Sequence, residues 1–111
     1  MKKILIIDDE QDLCFLLKAY LIVRHNQVIV ANTLHDGMFQ IKNFHPDILF
    51  LDNNLPDGHG WDKVCEIAEE NPGMKITLMS GQANYKLISC KEHFNTIEKP
   101  LSFEKIDISL N

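Results

Sequence analysis

Four apolar runs constrain this chain more than any other feature: Ile4-Leu5-Ile6-Ile7, Val28-Ile29-Val30-Ala31, Ile48-Leu49-Phe50-Leu51 and Ile76-Thr77-Leu78-Met79. Each is strand-length, mostly unalternated and rich in β-branched residues, as a parallel strand buried on both faces should be. Between them the period changes. Leu13, Leu16, Leu17, Tyr20 and Leu21 fall at helical spacing, Leu34, Met38 and Ile41 repeat it more briefly, and Trp61, Val64, Cys65 and Ala68 do the same. Stop signals agree: Asn43 to Pro46 closes the second helix, and Asn71-Pro72-Gly73 closes the third. Residues 82–93, with Tyr85, Leu87, Ile88 and Cys90, predict a less tidy helix. A short fifth strand falls within residues 94–97, and residues 101–110 predict a last helix with Phe103, Ile106 and Leu110 on one face.

Strands alternating with helices imply right-handed crossovers and a parallel sheet covered on both sides. The expected fold is therefore a three-layer, doubly wound α/β sandwich with five strands. At 111 residues one domain is expected, with a short final helix that is compatible with a chain cut from a longer one. Such a chain buries about two-thirds of its unfolded surface and needs no staple.

Charge narrows the partners. Eleven Lys and Arg against sixteen Asp and Glu give a net charge of −5, which repels phosphate backbones and argues against direct nucleic-acid binding. Met1-Lys2-Lys3 is followed by only four apolar residues before Asp8, too few for a secretory leader or for a span of ~20 apolar residues, so a cytoplasmic protein without a membrane segment is expected. Cys14, Cys65 and Cys90 are odd in number and far apart, which suits three reduced, buried thiols better than a disulfide framework. There is no G-x-G-x-x-G and no G-x-x-x-x-G-K-[ST], so a nucleotide-binding enzyme is a weak reading. His25, His35, His45, His59 and His93 show no metal-ligand spacing.

In doubly wound sheets, ligands bind beyond the carboxyl ends of the strands. Asp8, Asp9 and Glu10 follow the first strand, Asp52 the third, Ser80 the fourth, and Lys99-Pro100 the fifth. Taken singly these are ordinary: Asp9 or Glu10 could favour a helix N-terminus, Ser80 could cap a turn, and Lys99 could be a solvated charge. Asp52 stands apart, because it sits at the mouth of a buried strand and opens a polar loop, Asn53 to Gly58. Together the residues bring carboxylates from two strands into one cleft. Such carboxylates need a cation, and oxygen-only ligands favour a hard divalent ion, with Mg²⁺ the first candidate. A metal with Lys99 and the Ser80 hydroxyl beside it suits a phosphoryl group.

Ile4-Leu5-Ile6-Ile7-Asp8-Asp9-Glu10, Leu51-Asp52-Asn53-Asn54-Leu55-Pro56-Asp57-Gly58-His59-Gly60, Met79-Ser80-Gly81 and Glu98-Lys99-Pro100 resemble, in order and over nearly the whole chain, the signature segments of the response-regulator receiver domain of two-component signalling. The resemblance implies a flavodoxin-like sheet of order 2-1-3-4-5. It also implies phosphorylation of Asp52 by a sensor histidine kinase or phosphotransfer protein, in a switch that catalyses only its own phosphoryl transfer and dephosphorylation and is not otherwise an enzyme. Asp9 and Asp52 would ligate Mg²⁺ directly with the backbone carbonyl of Asn54, and Asp8 would act through water. Ser80 and Lys99 would hold phosphoryl oxygens, and the Lys99–Pro100 bond would be cis. Gly81 and Pro100 belong to the switch segments. Asn54 and Gln82 resemble the variable positions that flank the attacking water; as neutral amides they predict a phosphoform that is not unusually short-lived.

One position departs from the pattern. Where the family usually carries an aromatic switch residue, three places before Lys99, this chain has Thr96, and Phe94 is displaced along the strand. That departure supports a second reading, a receiver-like interaction scaffold working without phosphate. The signalling reading implies a downstream target or an output domain outside this chain, and a homodimer linked to phosphorylation.

Overall fold

In this computed structural model the described residues are 1–81, 88, 90 and 94–110. The five expected strands are β1 (Lys3–Ile7), β2 (Gln27–Ala31), β3 (Ile48–Asp52), β4 (Lys75–Ser80) and β5 (Asn95–Glu98). They pair in the order β2-β1-β3-β4-β5, all parallel, as expected. The helices described are α1 (Gln11–Ile22), α2 (Leu34–Phe44), α3 (Val64–Glu70) and α4 (Phe103–Leu110). The helix expected over residues 82–93 lies outside the described residues, apart from Ile88 and Cys90. No helix among the described residues is long and apolar enough to cross a membrane.

Alternate residues of each strand feed two apolar layers. Leu5, Ile7, Leu49, Leu51, Ile76 and Leu78 pack with Leu34, Ile41 and Phe44 of α2 and Val64 and Ile67 of α3. Ile4, Ile6, Ile48, Phe50, Met79 and Ile97 pack with Cys14, Leu17 and Leu21 of α1 and Ile106 of α4. The unalternated runs are thus two interleaved faces, each covered by helices. Thr33 caps α2 by accepting the Asp36 N–H, and His45 ends it in the left-handed region just before Pro46.

Several expectations need correction. Leu16 does not belong to the buried face of α1: it is 66% exposed, while Cys14 packs inward. Five apolar residues in a row, Leu13 to Leu17, leave the helical phase ambiguous, and packing chooses Cys14, Leu17 and Leu21. Phe103 is likewise 64% exposed, although its ring stacks on Tyr20 with centroids 4.3 Å apart. The third helix begins as a 3-10 turn over Gly60–Lys63, so Trp61 precedes the α-helical part. The polar stretch after Asp52 contains a short antiparallel hairpin, Asn54–Leu55 against Gly58–His59. Finally, Cys65 and Cys90 are joined in a disulfide, contrary to the expectation of three free thiols. The fold brings Cys90 beside Cys65 of α3, a proximity that spacing along the chain does not reveal. Cys14 is free and buried, and burial together with the charge of Asp8 pushes its thiol up to about 12.

Candidate phosphoryl and metal site

The sheet fixes two carboxylates at its carboxyl edge. Asp8 follows β1, and its N–H donates to the Ala31 carbonyl at 3.1 Å, extending the β1–β2 pairing by one step. Its Oδ1 accepts the Glu10 N–H at 2.9 Å, and its carbonyl accepts from Asn32 Nδ2 at 2.9 Å. Asp52 ends β3 opposite Met79 of β4, so register places Ser80 one residue beyond it. Asp8 is 0% and Asp52 3% exposed, whereas Asp9 is open to solvent.

The loop after Asp52 is tied down by its own groups. Asn53 accepts the Gly60 N–H at its carbonyl, 2.9 Å, and the Trp61 N–H at Oδ1, 3.1 Å. Trp61 Nε1 donates to the Leu51 carbonyl at 3.3 Å. Gly60 is required by close approach: a Cβ there would stand 2.3 Å from the Asp52 carbonyl oxygen. Asp57, in the hairpin turn, accepts the Leu34 and His35 N–H groups at 2.7 and 2.9 Å, fastening the loop to the start of α2. These bonds hold its carboxyl below the usual range.

Lys99 completes the arrangement. Its N–H donates to the Ser80 carbonyl at 2.7 Å, and the Lys99–Pro100 bond is cis. Its Nζ stands 2.9 Å from Asp8 Oδ2, 3.1 Å from Glu10 Oε1 and 3.4 Å from Asp52 Oδ1. Burial alone would lower its pKa, but contacts with Asp8 and Glu10 and the charges of Asp8 and Asp52 hold it above the ordinary lysine value. Burial, then repulsion from Asp8, raises Asp52 to about 6 despite the opposing pull of Lys99. Asp8 is also raised, chiefly by burial.

The donor set suits a hard divalent cation. Carboxylate oxygens of Asp8, Asp9 and Asp52 lie within 4.8 Å of one another. Asp8 Oδ2 is buried, and although Lys99 Nζ lies 2.9 Å from it, no donor among the described residues is aligned on it. A buried carboxylate oxygen in that condition gains from a cation, and all the ligands are oxygens, as Mg²⁺ prefers.

The structure therefore brings Asp8, Asp9, Asp52 and Lys99 together, with Ser80 buried at the adjoining strand end. Asn54 is exposed in the hairpin, paired with His59. Gly81 and Pro100 are exposed at the same edge, Thr96 is exposed on β5, and Gln82 lies outside the described residues. Sequence reasoning alone does not mark Glu10 and Asp57 as site residues. Glu10 reads as an ordinary helix-start acid, and its partner is 89 residues away. For Asp57 the one available signal is a Pro-Asp-Gly turn beside the site.

The family model for the response regulator receiver domain matches residues 4–111, so the chain belongs to that family and is a receiver domain of two-component signalling. It is 30% identical over 106 residues to the transcriptional regulatory protein YxdJ of Bacillus subtilis, covering 94% of this chain and 46% of that one. A two-component response regulator from Clostridium difficile superposes with a TM-score of 0.89 at 26% identity, over 99% of this chain and 93% of that one. The response regulator TrrA of Thermotoga maritima, solved in complex with Mg²⁺ and BeF, shares the fold at a TM-score of 0.88 and 23% identity, covering 99% and 96% of the two chains. The chain spans about half the length of the curated relatives it matches.

Proposed function

We propose that this domain, residues 1–111, is a phosphorylation-dependent switch in which Asp52 takes a phosphoryl group from a phosphohistidine on a sensor kinase or phosphotransfer protein. The observation that carries the reading is a buried carboxylate at a strand mouth with two further aspartates within 4.8 Å and an ammonium at 3.4 Å. Asp9 and Asp52, with the Asn54 carbonyl, would hold Mg²⁺ directly, and Asp8 through water. When bound, the ion supplies charge compensation for the phosphoryl oxygens.

The protein's own groups do the rest. An Asp52 oxygen attacks phosphorus, the P–N bond to the donor imidazole breaks, and the imidazole keeps the electron pair and takes a proton from solvent. Lys99 pairs with one phosphoryl oxygen, and the Ser80 hydroxyl donates to another. Asp52 is a weak nucleophile, so its requirements are positioning and charge cancellation, which burial and the Asn53–Gly60–Trp61 bonds supply. In the separate hydrolysis that resets the switch, water attacks phosphorus, inorganic phosphate leaves and the Asp52 carboxylate is regenerated; Asn54 and Gln82 would orient that water without deprotonating it, which favours a phosphoform that is not unusually short-lived. Beside Glu10 and Lys99 opens an apolar groove lined by Leu13, Leu16, Leu17, Leu101, Phe103 and Ile106, which favours a protein donor. The output passes to a downstream protein or a further domain, in the cytoplasm, without direct contact with nucleic acid or membrane by this domain, and a homodimer linked to phosphorylation is part of the reading.

The test is intact mass after incubation with acetyl phosphate, with and without Mg²⁺. The expected result is a metal-dependent gain of one phosphoryl group that Asp52→Asn abolishes. No gain in the folded wild type, from acetyl phosphate or from a phosphorylated protein donor, would leave the phosphate-independent scaffold, the reading that Thr96 favours.

A further inference from the structure

Lys99 is one cation shared by three carboxylates, and the three are not equivalent. Asp8 and Asp52 are buried members of the aspartate cluster, with side chains 0% and 5% exposed. The Glu10 side chain is 58% exposed, and its carboxylate lies outside the cluster. It reaches in from the first residue after Asp9 and accepts from Lys99 Nζ at 3.1 Å. The backbone of Glu10 is independently fixed by its N–H bond to Asp8 Oδ1 and by its carbonyl, which accepts the Cys14 N–H at 3.0 Å. Its side chain therefore projects from a rigid base.

From this geometry we infer that Glu10 is a positioning residue, a resting-state tether on Lys99 that an incoming phosphoryl group must displace. The inference rests on the proposed phosphorylation of Asp52. A phosphoryl oxygen on Asp52 needs the same Nζ that Glu10 holds, and one ammonium cannot satisfy Asp8, Glu10 and the new anion equally well. Asp8 and Asp52 are fixed by the sheet, so the exposed glutamate is the partner that gives way. The consequence is a threshold: the tether slows phosphorylation and disfavours the phosphoform by the strength of a partly exposed ion pair.

Glu10→Ala removes the tether, and Glu10→Asp keeps the charge but shortens the reach by about 1.5 Å, beyond hydrogen-bond distance. Both variants are expected to take phosphoryl from acetyl phosphate about three- to fivefold faster than wild type, the factor an exposed ion pair commands. Both are also expected to bind beryllofluoride, with Mg²⁺ present, tighter by a similar factor, followed by Trp61 fluorescence. The binding arm separates a tether on Lys99 from a general change in folding, which thermal melts report. Wild-type rates in Glu10→Asp with acceleration only in Glu10→Ala would overturn the tether in favour of simple charge repulsion. Unchanged or slower labelling in both variants, with wild type labelling normally, would also overturn it. Failure of wild type itself to label would instead remove the phosphorylation reading on which it rests.

Discussion

Strands β3 and β5 run parallel in one sheet and each leads into a residue of the site, yet they are built differently. Every residue of β3 from Ile48 to Asp52 is buried, whereas in β5 only Ile97 is. The central strand presents Asp52 from a position fixed on both faces and both edges. The outer strand delivers Lys99 from a single paired edge, against β4, with one buried side chain, Ile97; beyond that its end is held by the bond to the Ser80 carbonyl and by Lys105 Nζ, which donates to the carbonyls of Glu98 and Pro100 at 3.1 and 3.2 Å. The negative half of the site is thus held by the core and the positive half by a lightly anchored edge. A switch needs that asymmetry, since something must stay still while something else responds.

The largest expected effect comes from breaking the rigid half. Phe50 is fully buried at the centre of β3, between α1 and the sheet. Phe50→Ala should cost about 3–5 kcal/mol of stability, measured by urea unfolding, because it loses transfer energy and leaves a cavity the close-packed layer cannot fill. A cost near 1 kcal/mol would mean that β3 is no better anchored than β5.

The next effect is electrostatic. Asp52 is raised from its ordinary 3.8 to about 6, so its protonated form favours the folded state. That contribution is complete below pH 3.8 and is lost as pH rises through 6. Metal-free protein should therefore lose on the order of 3 kcal/mol between those limits from this group. In Asp52→Asn the same stretch of the pH–stability curve should flatten, and saturating Mg²⁺ should restore stability to wild type at about pH 7.5, where the carboxylate is ionised. Parallel wild-type and mutant curves would show that the carboxylate is not strained by burial.

The same asymmetry governs which parts of the fold are legible in the sequence. β1 to β4 are legible because strands covered on both faces write themselves as unbroken apolar runs, and Asp8, Asp9 and Asp52 are legible because they end such runs. β5 is located from sequence only within residues 94–97 and occupies Asn95–Glu98, since one buried residue in four leaves no pattern. On α1, five consecutive apolar residues hide the fact that Cys14 rather than Leu16 faces inward. Contacts made by side chains across the fold, Glu10 with Lys99 and Asp57 with the start of α2, have no local signature of their partners; the Pro-Asp-Gly turn marks Asp57 but not what it binds. The Cys65–Cys90 bond belongs to the same class, because it depends on which segments the topology makes neighbours.

The smallest expected effect tests the responsive half directly. Thr96, which departs from the aromatic residue expected at this place from the sequence resemblance, is exposed on β5, in register with Leu78. Because the side chain fills no core volume, Thr96→Tyr should change stability by no more than ~0.5 kcal/mol in urea unfolding. Aromatic and β-branched residues both suit an exposed strand position, so propensity adds little in either direction. A loss of about 2 kcal/mol or more would show that position 96 is packed rather than open. The edge of the sheet would then be held as firmly as its centre, and the division of the site into a fixed and a responsive half would fail.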